Sequence, residues 1–172
     1  MLVEDARNRV TAHLGSSARA EHSVFVGHVM KLLAERLGAE IVMWEVVGLC
    51  HDLDFFDTAD DRRQHGILAA DWLANDLPAE ALDAIRAHDH RTGVQANTPI
   101  ADALKLADAL AVADALKGRE TITALLSLGD KEGLRSVLTS RSHLSLMIEE
   151  FSRKLRLPLS ELAQVCRNAP LQ

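Results

Sequence analysis

The chain reads as an all-α protein, a single compact helical bundle with additional helices at its C-terminal end. Three observations carry this. Apolar residues recur at helical spacing along nearly the whole sequence, and alternating strand patterns are almost absent. Aromatic residues make up 3% and tyrosine is missing, so the core falls to Leu, Ala, Val and Ile, of which Leu and Ala favour helix. No long linker or low-complexity segment interrupts the pattern, which keeps all 172 residues in one domain.

Taken in order, the first helix is expected over residues 2–14, broken by Gly15-Ser16-Ser17. The second runs from about Ala18 to Leu37 and stops at Gly38. The third spans about Glu40 to His51. Residues 52–61 hold five aspartates and two phenylalanines and read as loop. A fourth helix is expected over about 62–75, ending near Pro78, and a fifth over about 79–88. Thr92, Gly93, Asn97 and Pro99 mark residues 90–99 as a second loop. A long Ala/Leu helix follows over about 100–117, closed by Gly118. Residues 119–168 predict three or four further helices, with breaks near Gly129, Gly133 and Pro158.

Composition narrows the function. The net charge is −6 with histidines neutral, which disfavours a nucleic-acid polymer as partner, since phosphate neutralisation needs clustered Lys and Arg. A small anionic substrate stays open, because a bound cation inverts the local field. Cys50 and Cys166 form no spaced pair and sit among apolar residues, which predicts buried free thiols in a reducing compartment. The N-terminus is charged from Glu4 onward, unlike a signal peptide, and no apolar run reaches the ~18 residues that span a bilayer. A cytoplasmic location with no membrane partner is therefore expected. A homodimer is allowed.

Histidines carry the chemical signal. His22 has Phe25, Val26, Val29 and Leu33 at +3, +4, +7 and +11, which places it on an apolar stripe. His28 falls on another face and reads as structural. His51 and Asp52 close the apolar run 41–50. Adjacent helical residues diverge by about 100°, so both reach one ion only at a helix end. His65 shares a face with Leu68, Ala69 and Trp72, and His88 with Ala81, Ala84 and Ile85. Each could be a ligand, a proton donor or a substrate-binding group. His90 reads as loop surface, and His13 and His143 as background. Asp102, Asp108 and Asp114 stand six apart, a rotation of about 600°, so only one can face a given site. Asp108, among Leu104, Ala111 and Val112, is the most embedded in apolar surface and most needs a partner; Asp114 is second. Burying several imidazoles beside aspartates is costly unless something compensates, and a divalent metal would.

With EHSVFVGHVMKLLAERLG around His22, GLCHDLDFFD around His51-Asp52 and TPIADALKLADAL around Asp108, the chain resembles the HD superfamily of metal-dependent phosphohydrolases. The resemblance covers about residues 19–117 and leaves 119–172 as a C-terminal helical extension that resembles nothing nameable. It implies that His22, His51, Asp52 and Asp108 ligate a divalent ion, one of Mn, Fe, Mg, Zn, Ni or Co. Members with two metals add histidines between the His-Asp pair and the last Asp, and His65 and His88 stand in those places. The branch that carries a Gly-Tyr-Pro signature is disfavoured, since the chain has no tyrosine.

The resemblance implies hydrolysis of a phosphomonoester or phosphodiester in a nucleotide or small metabolite. A metal would acidify water and polarise the phosphoryl oxygens. Asp52 would bind the metal and help deprotonate the water. Asp54 is a second nearby carboxylate and, with His65 and His88, a further catalytic candidate. Arg62, Arg63, Arg91 and Lys105 are candidate phosphate contacts, because Arg offers a planar fork to phosphate oxygens. Two alternatives stand beside this reading. One is a mixed-valent di-iron oxygenase using His22, His51, Asp52, His65, His88 and Asp108. The other is a non-enzymatic helical module that senses a ligand.

Overall fold

A computed structural model describes residues 1–169, so the last three residues of the C-terminal extension lie outside it. The described residues form ten α-helices and three short 3-10 turns, with no strand among them. The helices are α1 (Val3–Leu14), α2 (Ala18–Leu37), α3 (Ile41–Cys50), α4 (Ile67–Trp72), α5 (Ala79–Arg86) and α6 (Pro99–Lys117). The extension adds α7 (Arg119–Leu128), α8 (Lys131–Val137), α9 (His143–Lys154) and α10 (Leu159–Asn168). None is long and apolar enough to cross a membrane.

The boundaries follow from local chemistry. Ser17 caps α2 by accepting from the Ala20 N–H, and Gly38 ends it at φ 67°. Thr98 caps α6, with Pro99 in its first turn. The long α6 is the central element. Ile100, Ala101, Ala103, Leu104, Leu106, Ala107 and Leu110 are all buried, and α2, α3, α5 and α9 pack on it. The pair α7 and α10 packs together and closes against α2. Cys50 and Cys166 are buried free thiols, and burial pushes both up to about 12, which leaves them unreactive.

Two expected elements differ. The helix expected over 62–75 is instead a 3-10 turn at Arg62–Gln64 followed by the six-residue α4. The cause is Gly66, at φ 83°, and the Asp54 carboxylate, which accepts from the N–H groups of Gly66 and Ala69 at 2.7 and 3.0 Å. Asp54 thus caps α4 from twelve residues upstream, and the chain turns at His65 rather than running through it. The second difference is Gly133, which lies inside α8 rather than at a break. Its N–H donates to Asp130, and a Cβ there would meet Asp130 Oδ2 at 2.4 Å. This glycine permits close approach at a capped first turn. The break comes later, at the 3-10 turn Thr139–Arg141.

Helices α2 and α3 cross in close contact through Gly27 and Gly48. A Cβ on Gly48 would stand 2.7 Å from Gly27 Cα. That backbone approach brings the helix carrying His22 against the helix ending at His51. We expect Gly48→Ala to lower unfolding free energy by about 1–3 kcal/mol, the usual penalty of forcing extra volume into a packed interior. Urea denaturation checks this, and an unchanged midpoint would contradict the close crossing.

Candidate metal centre

Four histidines are buried among the described residues, His22, His51, His65 and His88, and they surround one buried carboxylate, Asp52. His22 projects from the first half of α2, on the stripe with Phe25, Val26, Val29 and Leu33, all fully buried. His51 and Asp52 follow the last turn of α3, where the helix ends and side chains can converge. His65 sits at the turn before α4, His88 just past α5, and Asp108 midway along α6.

The two Asp52 oxygens divide the site. Oδ2 lies 3.7 Å from His22 Nε2 and 3.4 Å from His51 Nε2. Oδ1 lies 3.0 Å from His65 Nε2 and 3.5 Å from His88 Nε2. Asp108 Oδ1 adds a further oxygen 3.1 Å from His22 Nε2. Asp102 and Asp114 face elsewhere. Asp102 pairs with Lys154, and Asp114 takes both ends of the Arg119 guanidinium.

Backbone carbonyls set the ring orientations. His51 Nδ1 is 2.7 Å from the Gly48 carbonyl oxygen, and His88 Nδ1 is 2.7 Å from that of Ile85. A carbonyl only accepts, so each Nδ1 carries the proton and each Nε2 is left to face Asp52. Burial pushes the His51 imidazole down to about 4, which makes it neutral at physiological pH with a lone pair on Nε2. His65 donates Nδ1–H to Asp54 Oδ1 at 2.8 Å. Burial works to lower His65, but the hydrogen bonds to Asp52 and Asp54 outweigh it and raise the ring to about 9. For Asp52, burial works upward, yet His51, His65 and His88 hold the carboxyl well below its usual range. Asp108 is likewise held near 2, as the adjacent His22 outweighs burial.

Two buried nitrogens bear on whether these donors fit a metal. His22 Nε2 and His51 Nε2 are buried and make no hydrogen bond. His22 Nε2 is within 3.1 Å of Asp108, but the two are not aligned as donor and acceptor. Metal bonds of about 2.1 Å at 90–110° separate donor atoms by about 3.0–3.4 Å, close to the spacings here. Donor atoms of His22, His51 and Asp108 lie within 4.8 Å of one another, as do those of His51, Asp52 and His88. The nitrogen and oxygen donor set therefore fits a divalent transition-metal ion or Mg.

A cavity of about 200 Å³ opens onto this centre. Arg19 lines it, stacked 3.9 Å over the Phe55 ring and donating to Asp52 Oδ2 at 2.7 Å. Arg91, Arg141 and His143 also line it. Of the arginines singled out in the sequence, Arg91 lies at the cavity with its guanidinium on Asp89. Arg62 packs on the Phe55 ring and donates to the Phe55 carbonyl. Arg63 is exposed on Asp61, away from the cavity. Lys105 lines a neighbouring pocket. Asp54 is fully buried behind His65, with Oδ1 on His65 Nδ1, and does not line the cavity.

Arg19, Arg141 and His143 were not among the sequence candidates for substrate contact. Arg19 was within reach of the argument, since it stands three residues before His22 on the same helix face. His143 and Arg141 come from the extension and carry no local pattern. His90, read as loop surface, is exposed as expected, and His13 stacks 4.6 Å from Trp72, far from the donors in sequence and partner.

The HD domain family profile matches residues 19–113, more than half of the chain, and the chain belongs to that family. HD domains typically serve metal-dependent hydrolases of the phosphohydrolase superfamily. No curated protein and no solved structure matches the chain significantly.

Asp54 satisfies three buried donors at once. We expect Asp54→Ala to cost several kcal/mol, since each orphaned buried group costs about 1–3 kcal/mol. A chemical denaturation midpoint within experimental error of the wild type would refute that role.

Proposed function

We propose that the protein is a metal-dependent phosphohydrolase acting on a phosphomonoester or phosphodiester of a small metabolite or nucleotide. The observation that carries the reading is the convergence of His22, His51, Asp52 and Asp108, with two buried imidazole nitrogens left unbonded, at the floor of an arginine-lined cavity. Those four side chains would hold a divalent ion. His65 and His88, on the other oxygen of Asp52, would hold a second one. Such an ion supplies Lewis acidity to a phosphoryl oxygen and acidifies water.

The chain's own groups supply the rest. Arg19 and Arg141 offer guanidinium groups to the phosphoryl oxygens, and Arg91 does so while held by Asp89. Asp52 accepts a proton from the attacking water. Where a single ion is bound, His65 Nε2–H, oriented by Asp54 from behind, gives a proton to the leaving oxygen. Arg19 and Phe55 form one wall and keep the reacting group close to the donors. The cavity, at about 200 Å³, is smaller than the roughly 300–1,000 Å³ of common ligand pockets. It suits a phosphoryl group and little beyond it.

Replacing His51 and Asp52 with Ala together tests the reading. Elemental analysis of protein purified without added metal should lose the bound ion. Turnover of p-nitrophenyl phosphate should fall by more than about a hundredfold, beyond what loss of an outer partner costs. Circular dichroism serves as the folding control. Metal kept at wild-type stoichiometry would sink the ligand assignment. Oxygen consumption without phosphate release would move the protein to the oxidative alternative.

A further inference from the structure

The metal cavity is too small for an organic phosphate of any size, so the remainder of a substrate must lie outside it. Next to it is a larger pocket of about 550 Å³. The two cavities share His88, His90, His143 and Met147 as a common wall. A molecule with its phosphoryl group over the metal donors therefore has a direct path into the second space.

That pocket combines an apolar wall with one lysine, and Gln95, Glu150 and three histidines also line it. Val94, Met147 and Phe151 supply apolar surface, with Met147 and Phe151 coming from α9, outside the family match. Lys105, one turn before Asp108 on α6, lines the same space. Its ammonium is 5.8 Å from the centre of the Phe151 ring. Burial works to lower the Lys105 ammonium, so desolvation is already incurred there. Two carboxylates stand nearby, Asp102 and Glu150, but Lys154 takes both, at 3.5 and 3.2 Å. Among the described residues, Lys105 makes no ion pair. A half-buried cation with its neighbouring anions already engaged is set to receive an anion from elsewhere.

We infer that this pocket holds the organic part of the substrate, and that Lys105 binds a second anionic group on it, making the substrate class a small organic phosphate that also carries a carboxylate or further phosphate. The inference rests on the hydrolase reading for the phosphoryl end. It assigns Lys105 to substrate selection rather than to the phosphoryl group that reacts. The apolar walls fit a short hydrocarbon or aromatic body between the two charged ends.

The test uses matched esters, 3- and 4-carboxyphenyl phosphate against the corresponding carbamoylphenyl phosphates. Acid and amide have nearly the same shape and differ in charge. Wild-type protein should prefer an acid over its amide in kcat/KM, mainly through KM. Lys105→Met should reduce that preference by about tenfold or more, the range of one charge-assisted hydrogen bond. Lys105→Arg should restore part of it. Calorimetry with 3- and 4-hydroxybenzoate on metal-free protein reads the pocket without any turnover, and Lys105→Met should weaken that binding. Neither acid preferred over its amide, or a preference that survives Lys105→Met, overturns the inference while leaving the hydrolase reading intact. Hydroxybenzoate binding that depends on Lys105, without phosphate release from any ester, upholds the pocket and overturns the hydrolase reading instead.

Discussion

One buried carboxylate organises this molecule. Asp52 is almost fully enclosed, and an ionised carboxylate in such a place is tolerable only if surrounded by positive or proton-donating groups. The Arg19 guanidinium and the His65 ring reach it at 2.7 and 3.0 Å, the rings of His22, His51 and His88 stand 3.4–3.7 Å away, and the five side chains arrive from four separate stretches of chain. The bundle's detailed geometry can be read as the solution to bringing them there. The Gly27–Gly48 crossing sets α2 against α3. Gly66 lets the chain turn at His65 beneath Ile85 and His88, where a Cβ would stand 2.6 Å from the Ile85 carbonyl. Asp54 holds that turn.

Ring orientation is settled one bond further out. The carbonyls of Gly48 and Ile85 commit the Nδ1 protons of His51 and His88, so both rings present Nε2 inward. Neither carbonyl belongs to a recognisable motif. They are simply the groups three residues earlier in helices that end at the site. Ending a helix there exposes its last carbonyls, and the histidines use them. The same helix termini that let His51 and Asp52 converge also fix the tautomer.

Much of this was legible in the sequence. The helical class, the long α6 and the stops at Gly38, Gly118 and Gly129 followed from periodicity and caps. Rotation about one helix allowed only one of Asp102, Asp108 and Asp114 at the site, and Asp102 and Asp114 pair with Lys154 and Arg119; the apolar neighbours that singled out Asp108 do not enclose it, since its side chain is 25% exposed against 16% and 8% for the other two. The turn at His65 was not legible, because its cap comes from Asp54 through a tertiary hydrogen bond that no local pattern records. Gly133 misled for the opposite reason, since close packing and chain breaking use the same residue. Arg62 and Arg63 were proposed from charge alone, which says nothing about direction. Arg62 turns under Phe55, and Arg63 turns to Asp61.

Helix α9 shows how labour is divided along the chain. It lies beyond the family match, packs on α6 and lines both cavities through His143 and Met147, but contributes none of the candidate metal donors. Substitutions along its inner edge can therefore drift over evolutionary time without touching His22, His51, Asp52 or Asp108. A descendant lineage could reshape the walls of both cavities by remodelling this one helix while the cluster around Asp52 stayed as it was inherited.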